Sequence, residues 1–300
     1  MTAGGHQARR LPDGRRLFLQ HGPMDVVVEA FGPPAEISLA YAQAEARFAG
    51  ILAELVAELP LLRRPVGAEP PALRGRVARR MAAAVWPHRA VYVTPMAAVA
   101  GAVADEVLAA MLAGRGLARA YVNDGGDIAL HLAPGERFVA GLVADLEAPA
   151  LDGTAAITAG MPVRGIATSG RGGRSFSLGI ADAVTVLARD AAAADAAATL
   201  IANCVDVPDH PAIERRPAAS LRDDTDLGDL PVTVAVGALS PDAVAAALAA
   251  GAAEAERMLA AGLIAGAALF LRGRHRVVGA AAYSAGTATL APAGSLRRMK

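Results

Sequence analysis

Between Ala191 and Val205 the chain reads AAAADAAATLIANCV, with one charged side chain, Asp195. Alanine is the best helix former. A helix of Ala, Leu, Ile and Val offers no polar face to water, so the rest of the fold has to be built around it. The preceding Ala183–Leu187 alternates with β-branched residues and reads as a short strand, making Gly179 to Val205 a strand followed by a core helix. A carboxylate on such a helix is costly unless it is paired, hydrogen-bonded or bound to a metal. Thr199 lies four residues beyond Asp195, which puts both oxygens on one face, one turn apart. That pair is half a site for a hard cation such as Mg²⁺, which prefers oxygen ligands. The alternative is a solvated Asp195 with Thr199 bonding back to its own helix. Cys204 on the same helix reads as a core thiol rather than a reactive one.

Several chemistries are excluded by what the chain lacks. Lys300 is the only lysine among 29 basic residues, so no Schiff-base, Walker-type or kinase lysine is available within the fold. One cysteine rules out an internal disulfide and a Cys-rich zinc site. The six histidines (6, 21, 88, 131, 210, 275) show no local metal spacing. Zero formal net charge and 4% aromatics argue against nucleic acid as a partner. A small molecule or a protein is the expected partner. The N-terminus has no apolar signal region, and the longest apolar run, Met258 to Leu271, is broken by glycines and too short to span a bilayer. The expectation is a cytoplasmic protein away from the membrane. Abundant Ala, Gly and Arg point to a GC-rich bacterial genome.

Along the chain, residues 1–14 are polar and expected to fray. Arg16–Gln20 and Asp25–Phe31 read as strands, and Pro33-Pro34 opens a helix with a stripe at Ile37, Tyr41, Ala44, Phe48, Ile51, Leu55 and Leu59. A Pro-rich connector over 60–72 leads to a basic helix, Leu73–Val85, whose arginines (74, 76, 79, 80) face solvent or meet phosphates. Ala90–Val93 reads as a strand, and Pro95 starts the next helix. LARAYVNDGGDIALHL is strand, turn and strand, since Asp-Gly favours a type I′ hairpin. Strands are expected at Arg137–Ala144 and Ile157–Thr168. The loop TSGRGGRSFSLG offers Thr168, Ser169 and Gly170 with two arginine forks, a setting for an anion or a diphosphate, or else a mobile surface loop. Residues 206–229 read as a loop with a solvated acidic run, followed by a strand Pro231–Val236 and a helix from Ser240 to about Ala261. Closing strands at Leu263–Arg272 and Arg276–Ala282 complete the chain. ADEVLAAMLAGRGLARAYV and AEAERMLAAGLIAGAALFL are both helix, glycine, strand, a hint of two related halves.

These motifs, in this order, resemble the ApbE family, the FAD:protein FMN transferases once called thiamine-biosynthesis lipoproteins. More closely they resemble an uncharacterised cytoplasmic branch of bacterial and archaeal proteins related to them. VTPMAAVAGAVAD (Val93 to Asp105) stands where the family has a segment like VDLGAIAKGYAVD. Val122 to Asp127, VNDGGD, stands where it has VNxGGD/N, and Ala194 to Leu200 where it has ADALATAL. The resemblance covers roughly residues 85–205. It implies one ApbE-like α+β domain over 1–300, with mixed β-sheets flanked by helices. It further implies FAD bound with its diphosphate near Mg²⁺, the metal held by Asp195, Thr199 and the Ala97 carbonyl. Asn123, Gly125, Gly126 and Asp127 would shape the flavin pocket. The chain departs from the family at three places: the usual Lys is Ala100, the usual Asp is Thr94, and SFSLGIAD replaces the HxxDPxTG signature. Asp182, the one acid in the replaced region, is the expected general base or second metal ligand, against a structural role in a turn.

Three functional readings follow. In the first the protein binds a flavin or another diphosphate cofactor with Mg²⁺ and transfers the FMN part to a Thr or Ser of an acceptor protein. In the second it is a non-catalytic cofactor-binding or accessory protein in cofactor or sulfur metabolism. A hydrolase or transferase built on the TSGRGG loop is a third. Homo-oligomerisation is left open.

Overall fold

The computed structural model describes residues 5–143, 153–279 and 283–285. The elements are β1 (Gln7–Arg10), β2 (Leu17–His21), β3 (Met24–Phe31), α1 (Pro34–Leu62), α2 (Arg76–Val85), α3 (Val99–Leu112), β4 (Arg119–Asp124) and β5 (Asp127–Leu132). They continue as β6 (Arg137–Leu142), β7 (Gly153–Thr158), β8 (Gly165–Ser169), β9 (Ala183–Ala188), α4 (Ala191–Cys204), β10 (Ile213–Pro217) and β11 (Pro231–Val236). The last are α5 (Pro241–Ala260), β12 (Gly266–Leu271), β13 (Arg274–Val278) and β14 (Tyr283–Ala285). Two 3-10 turns, Trp86–His88 and Pro95–Ala98, lie between α2 and α3.

One sheet of nine strands, ordered β1-β2-β3-β4-β5-β8-β9-β12-β13, carries the architecture. The expected mixed sheets are antiparallel throughout the described residues. The connections explain why. The chain leaves β3 at Phe31, runs through α1, α2 and α3, and returns at Arg119, the cross-strand partner of Phe31. It leaves β9 near Leu187, runs through α4 and α5, and returns at Gly266, the partner of Leu187. A helical excursion that comes back to the end it left must place its next strand antiparallel. Thus β2-β3-β4-β5 and β8-β9-β12-β13 are two hairpin–helices–hairpin units side by side. The helix–glycine–strand echo in the sequence marks their matching points, with Gly114 and Gly262 both at φ +69°.

The helices cover one face of this sheet, α1 over β2 and β3, α3 over β4 and β5, α4 over β8 and β9, and α5 over β12 and β13. The sheet β6-β7-β14 covers the opposite face through Leu142, Ala155 and Ile157, packed with Leu130, Ile166, Leu187 and Phe270. Helix α4 lies among α2, α3, α5 and the sheet, as its all-apolar surface requires. Glycines let it pack closely: a Cβ on Gly101 would sit 2.3 Å from the Ala191 carbonyl oxygen, and one on Gly165 would sit 2.0 Å from that of Asp190. The stretch Pro95–Leu112 is apolar and long enough to cross a membrane, but 56% of it is buried inside the protein, where α3 forms the core beside α4. Basic residues mark both outer strands of the large sheet, Arg9 and Arg10 on β1 and Arg274 and Arg276 on β13, a common guard against edge-to-edge pairing.

The structure departs from the sequence expectations at several points. Residues 7–10 are a strand paired to β2, not a frayed tail. Ala90–Val93 is not a strand; the Trp86–His88 turn and an extended run into Pro95 take its place. Residues 213–217 form β10, tied to β11. Cys204 is exposed, because α4 reaches the surface in its last turn. The arginines of α2 are not merely solvated: Arg76 and Arg80, with Arg47 of α1, converge on the buried Glu106 of α3. The expected strand ends at Ala144 and Ala282 lie outside the described residues.

Gly101→Ala should cost roughly 2–4 kcal/mol, because its methyl meets main-chain atoms that cannot swing aside. Gly116→Ala, with nothing within 4 Å, is the matched control and should stay within about 0.5 kcal/mol of the parent in urea denaturation.

Candidate functional site

The N-termini of α3 and α4 meet, and each is capped by an acid from the other helix. Asp195 of α4 accepts hydrogen bonds from the amides of Ala100 and Gly101 at the start of α3, the latter at 3.0 Å. Asp105 of α3 accepts from the amides of Ala191 (3.1 Å) and Ala192 (2.9 Å) at the start of α4. Asp190 completes the second cap by accepting from Ala193. Orphan amides and the positive ends of two helix dipoles therefore have carboxylates set against them. Gly101 makes the approach short enough.

The β4–β5 hairpin brings further acids to the same place. Gly125 (φ +67°) and Gly126 (φ +114°) form its two-residue turn, the positive-φ geometry that glycine adopts freely. Asn123 closes the turn by accepting from the Gly126 amide at 2.8 Å. Asp124 and Asp127 are direct cross-strand partners and so share a face of the sheet. Asp124 continues the buried alternation Ala120, Val122, Asp124, which places both acids on the helix side. The Thr168 amide donates to Asp127. Burial pushes Asp124 and Asp195 up to about 7, and Asp105 up to about 6. Burial, and then the facing charge of Asp195, hold Asp127 well above the usual carboxylate range. Asp195 and Thr199 are half-buried, so solvent reaches them from one side. The Thr199 hydroxyl has no hydrogen-bond partner among the described residues. Ala97 is also half-buried, in the 3-10 turn that packs on α4.

A ring of contacts surrounds this cleft. Arg174 reaches from the TSGRGG loop across the hairpin, donating to the Pro23 carbonyl at 3.0 Å and lying 4.0 Å from Asp124. Phe176 lies under Arg222, 5.0 Å from the ring centre. In the same acidic loop Asp226 accepts from the Thr94 hydroxyl, and its carbonyl accepts from the Tyr92 hydroxyl at 2.6 Å. That loop, expected to be solvated, is thus tied to the head of the segment leading into α3, and its Asp224 pairs with Arg63.

The structure therefore brings together Asp127, Thr168 and Asp195, with Thr199 on the same helix face as Asp195. Asn123 and Gly126 shape the hairpin itself, and Gly125 lies beneath Arg174. Ser169 ends β8, and Gly170 packs against the Asp182 carbonyl. Asp182 has both oxygens engaged, one by the Arg171 guanidinium and one by the Arg272 amide, so it holds the loop to the β12–β13 turn instead of standing free as a base. Sequence reasoning missed Asp124 and Asp105. Asp124 was legible from the period-2 alternation of its strand; Asp105 had no local signal, since its partners lie 86 and 87 residues away.

The family model described as AbpE bacteria matches residues 8–277. The chain belongs to this family. Curated proteins similar to this chain include several described as UPF0280 proteins. The one from Methanothermobacter thermautotrophicus is 42% identical over 120 residues (39% of this chain, 44% of the relative). The one from Methanospirillum hungatei is 39% identical over 148 residues (46% of this chain, 55% of the relative). The match thus spans about half the length of these relatives. Among solved structures, a variant of flavin transferase ApbE from Vibrio cholerae superposes with a TM-score of 0.44 at 14% identity, covering 91% of this chain and 97% of that one. An ApbE protein from Thermotoga maritima gives 0.34 at 14% identity, covering 68% and 88%. Superpositions this loose carry no weight, and the family assignment rests on the match over residues 8–277.

Asp124 gives a pH test. Its carboxyl moves from 3.8 to about 7 on folding, so the unfolded chain releases this proton first and stability falls as pH rises between about 4 and 7. Asp124→Asn removes the burden. It should raise stability at pH 8 by about 1–4 kcal/mol and leave it nearly unchanged at about pH 3, below both pKa values, read from urea unfolding at both values.

Proposed function

We propose that this protein binds a flavin dinucleotide with a divalent cation in the cleft between the α3 and α4 N-termini and the β4–β5 hairpin, and transfers the FMN half to a Thr or Ser hydroxyl of a partner protein. The observation that carries the reading is the convergence of Asp195, Thr199 and Asp127 at two helix N-termini in a chain of the AbpE bacteria family. Among the described residues no three His, Cys, Asp or Glu side chains could hold a metal by themselves. The donors that fit are mixed and all oxygen: Asp195, the unpartnered Thr199 hydroxyl and the Ala97 carbonyl, which suits Mg²⁺. Mutual repulsion between Asp127 and Asp195 is a second sign of fit, since a cation beside them would relieve it.

When bound, the cation would polarise the phosphoanhydride. The chain's own residues do the rest. Asp195 stays in place through the amides of Ala100 and Gly101. Arg174, whose guanidinium lies over Gly125 and beside Asp124, offers a fork to a diphosphate oxygen. The Thr168 amide steadies Asp127, while its hydroxyl is paired with that of Thr185 at 2.8 Å. Asp127 takes the proton of the acceptor hydroxyl, as its raised proton affinity allows. The hydroxyl oxygen bonds to the phosphorus of the FMN half, the anhydride P–O bond breaks, and AMP leaves.

A second reading has its own support. Ala100 presents only its amide where the related enzymes place a lysine, and the Thr94 hydroxyl is committed to Asp226. A protein that binds the cofactor without transferring it fits those two positions.

Thermal shift with FAD, with and without Mg²⁺, tests the binding. FAD at 100 times its dissociation constant should add about 2.7 kcal/mol of stability, dependent on Mg²⁺. Asp195→Asn keeps an oxygen for the α3 cap and should lose the Mg²⁺ dependence; an unchanged response removes Asp195 from the metal site. Mass spectrometry of candidate flavoprotein acceptors after incubation with FAD then separates the two readings. Covalent FMN supports transfer, and binding without it supports the accessory role.

A further inference from the structure

We propose that Arg76 and Arg80, held by Glu106, form a second anion site on the face shared by α1, α2 and α3, selective for the phosphate groups of a small phosphorylated ligand. Glu106 is 2% exposed, yet three guanidiniums address it. Arg47 Nε lies 3.0 Å and Arg76 Nε 2.9 Å from Oε1, and Arg80 Nε lies 3.0 Å from Oε2. Arg47 has all three nitrogens engaged, since its two Nη groups bond Glu54 at 2.9 and 2.8 Å. Arg76 and Arg80 spend only Nε. Their Nη groups have no partner among the described residues, and the side chains are 65% and 38% exposed. Two of the three guanidiniums on Glu106 thus keep outer N–H groups that no side chain or carbonyl takes among the described residues.

A staple between α1, α2 and α3 accounts for the Nε contacts. It does not account for two forks fixed to the two oxygens of one carboxylate with their outer donors free. Forks held that near each other, and already relieved of much side-chain freedom, match a tetrahedral phosphate, which accepts from several N–H groups at once. Arg79, exposed and without a partner among the described residues, lies one residue before Arg80 and adds to the same field. The N-terminus of α2 is not the binding element, since Glu58 already accepts from the amides of Arg74 (2.6 Å) and Gly75 (2.7 Å).

The test is calorimetric titration of the full chain with sodium pyrophosphate at constant ionic strength, without divalent cation, repeated with inorganic phosphate, ADP and adenosine. Pyrophosphate should bind to wild type, and the double substitution Arg76→Gln, Arg80→Gln should weaken it about tenfold or more. Both side chains lie at the surface, and circular dichroism checks that the variant is folded. Asp195→Asn should leave this binding unchanged, which separates the site from the cleft. ADP binding like pyrophosphate, with adenosine silent, would show that the phosphates alone are read; tighter ADP would show that a nucleoside is also held. Absence of binding, binding that survives the double substitution, or binding lost in Asp195→Asn would each overturn the proposal.

Discussion

Two helix N-termini that cap each other hold this fold together. An α-helix begins with unsatisfied amides and a positive dipole end, and bringing two such ends face to face is unfavourable unless negative charge lies between them. Here Asp195 travels on α4 to reach α3, and Asp105 travels on α3 to reach α4. The exchange requires close approach, hence Gly101 against Ala191, and it requires α4 to lie flat on the sheet, hence Gly165 against Asp190. The position of α4 in turn sets where β8 and β9 run, and with them the second half of the nine-stranded sheet.

The same arrangement concentrates acid. With the caps made by carboxylates, the hairpin then adds Asp124 and Asp127 from the sheet side. Desolvated and facing one another, these groups bind protons far more readily than a free aspartate does. A fold selected for stability alone would have replaced them with neutral residues. The cation site proposed here would account for keeping desolvated, mutually repelling acids beside the Thr199 hydroxyl. The arginine-rich face around Glu106 shows the opposite imbalance, cations in excess on a buried acid. Glu106 follows Asp105 directly in α3, so one helix carries both acids, the first toward α4 and the second toward α1 and α2.

Much of this was legible in the chain. The Ala-rich helix announced its burial by lacking a polar face, and Asp195 stood out because nothing else on that helix could be charged. The hairpin turn was readable from its glycines, and the echo of helix, glycine and strand matched the two halves of the sheet. What could not be read was the pairing of distant elements. The Asp105 cap joins residues far apart in sequence, and Asp182, placed by reading near the chemistry, is occupied by Arg171 and the Arg272 amide. Cys204 was misplaced for a related reason: apolar composition says a helix is buried but not where it surfaces. β10 was hidden because its register with β11 contains a bulge and its residues are charged.

The most direct test of the account is a crystal structure grown with FAD and Mn²⁺, the manganese located by its anomalous scattering. The account predicts a peak within coordination distance of Asp195 and the Thr199 hydroxyl, with the flavin diphosphate against it at the α3 and α4 N-termini. Manganese elsewhere, or a flavin bound away from the β4–β5 hairpin with this cleft empty, would contradict it.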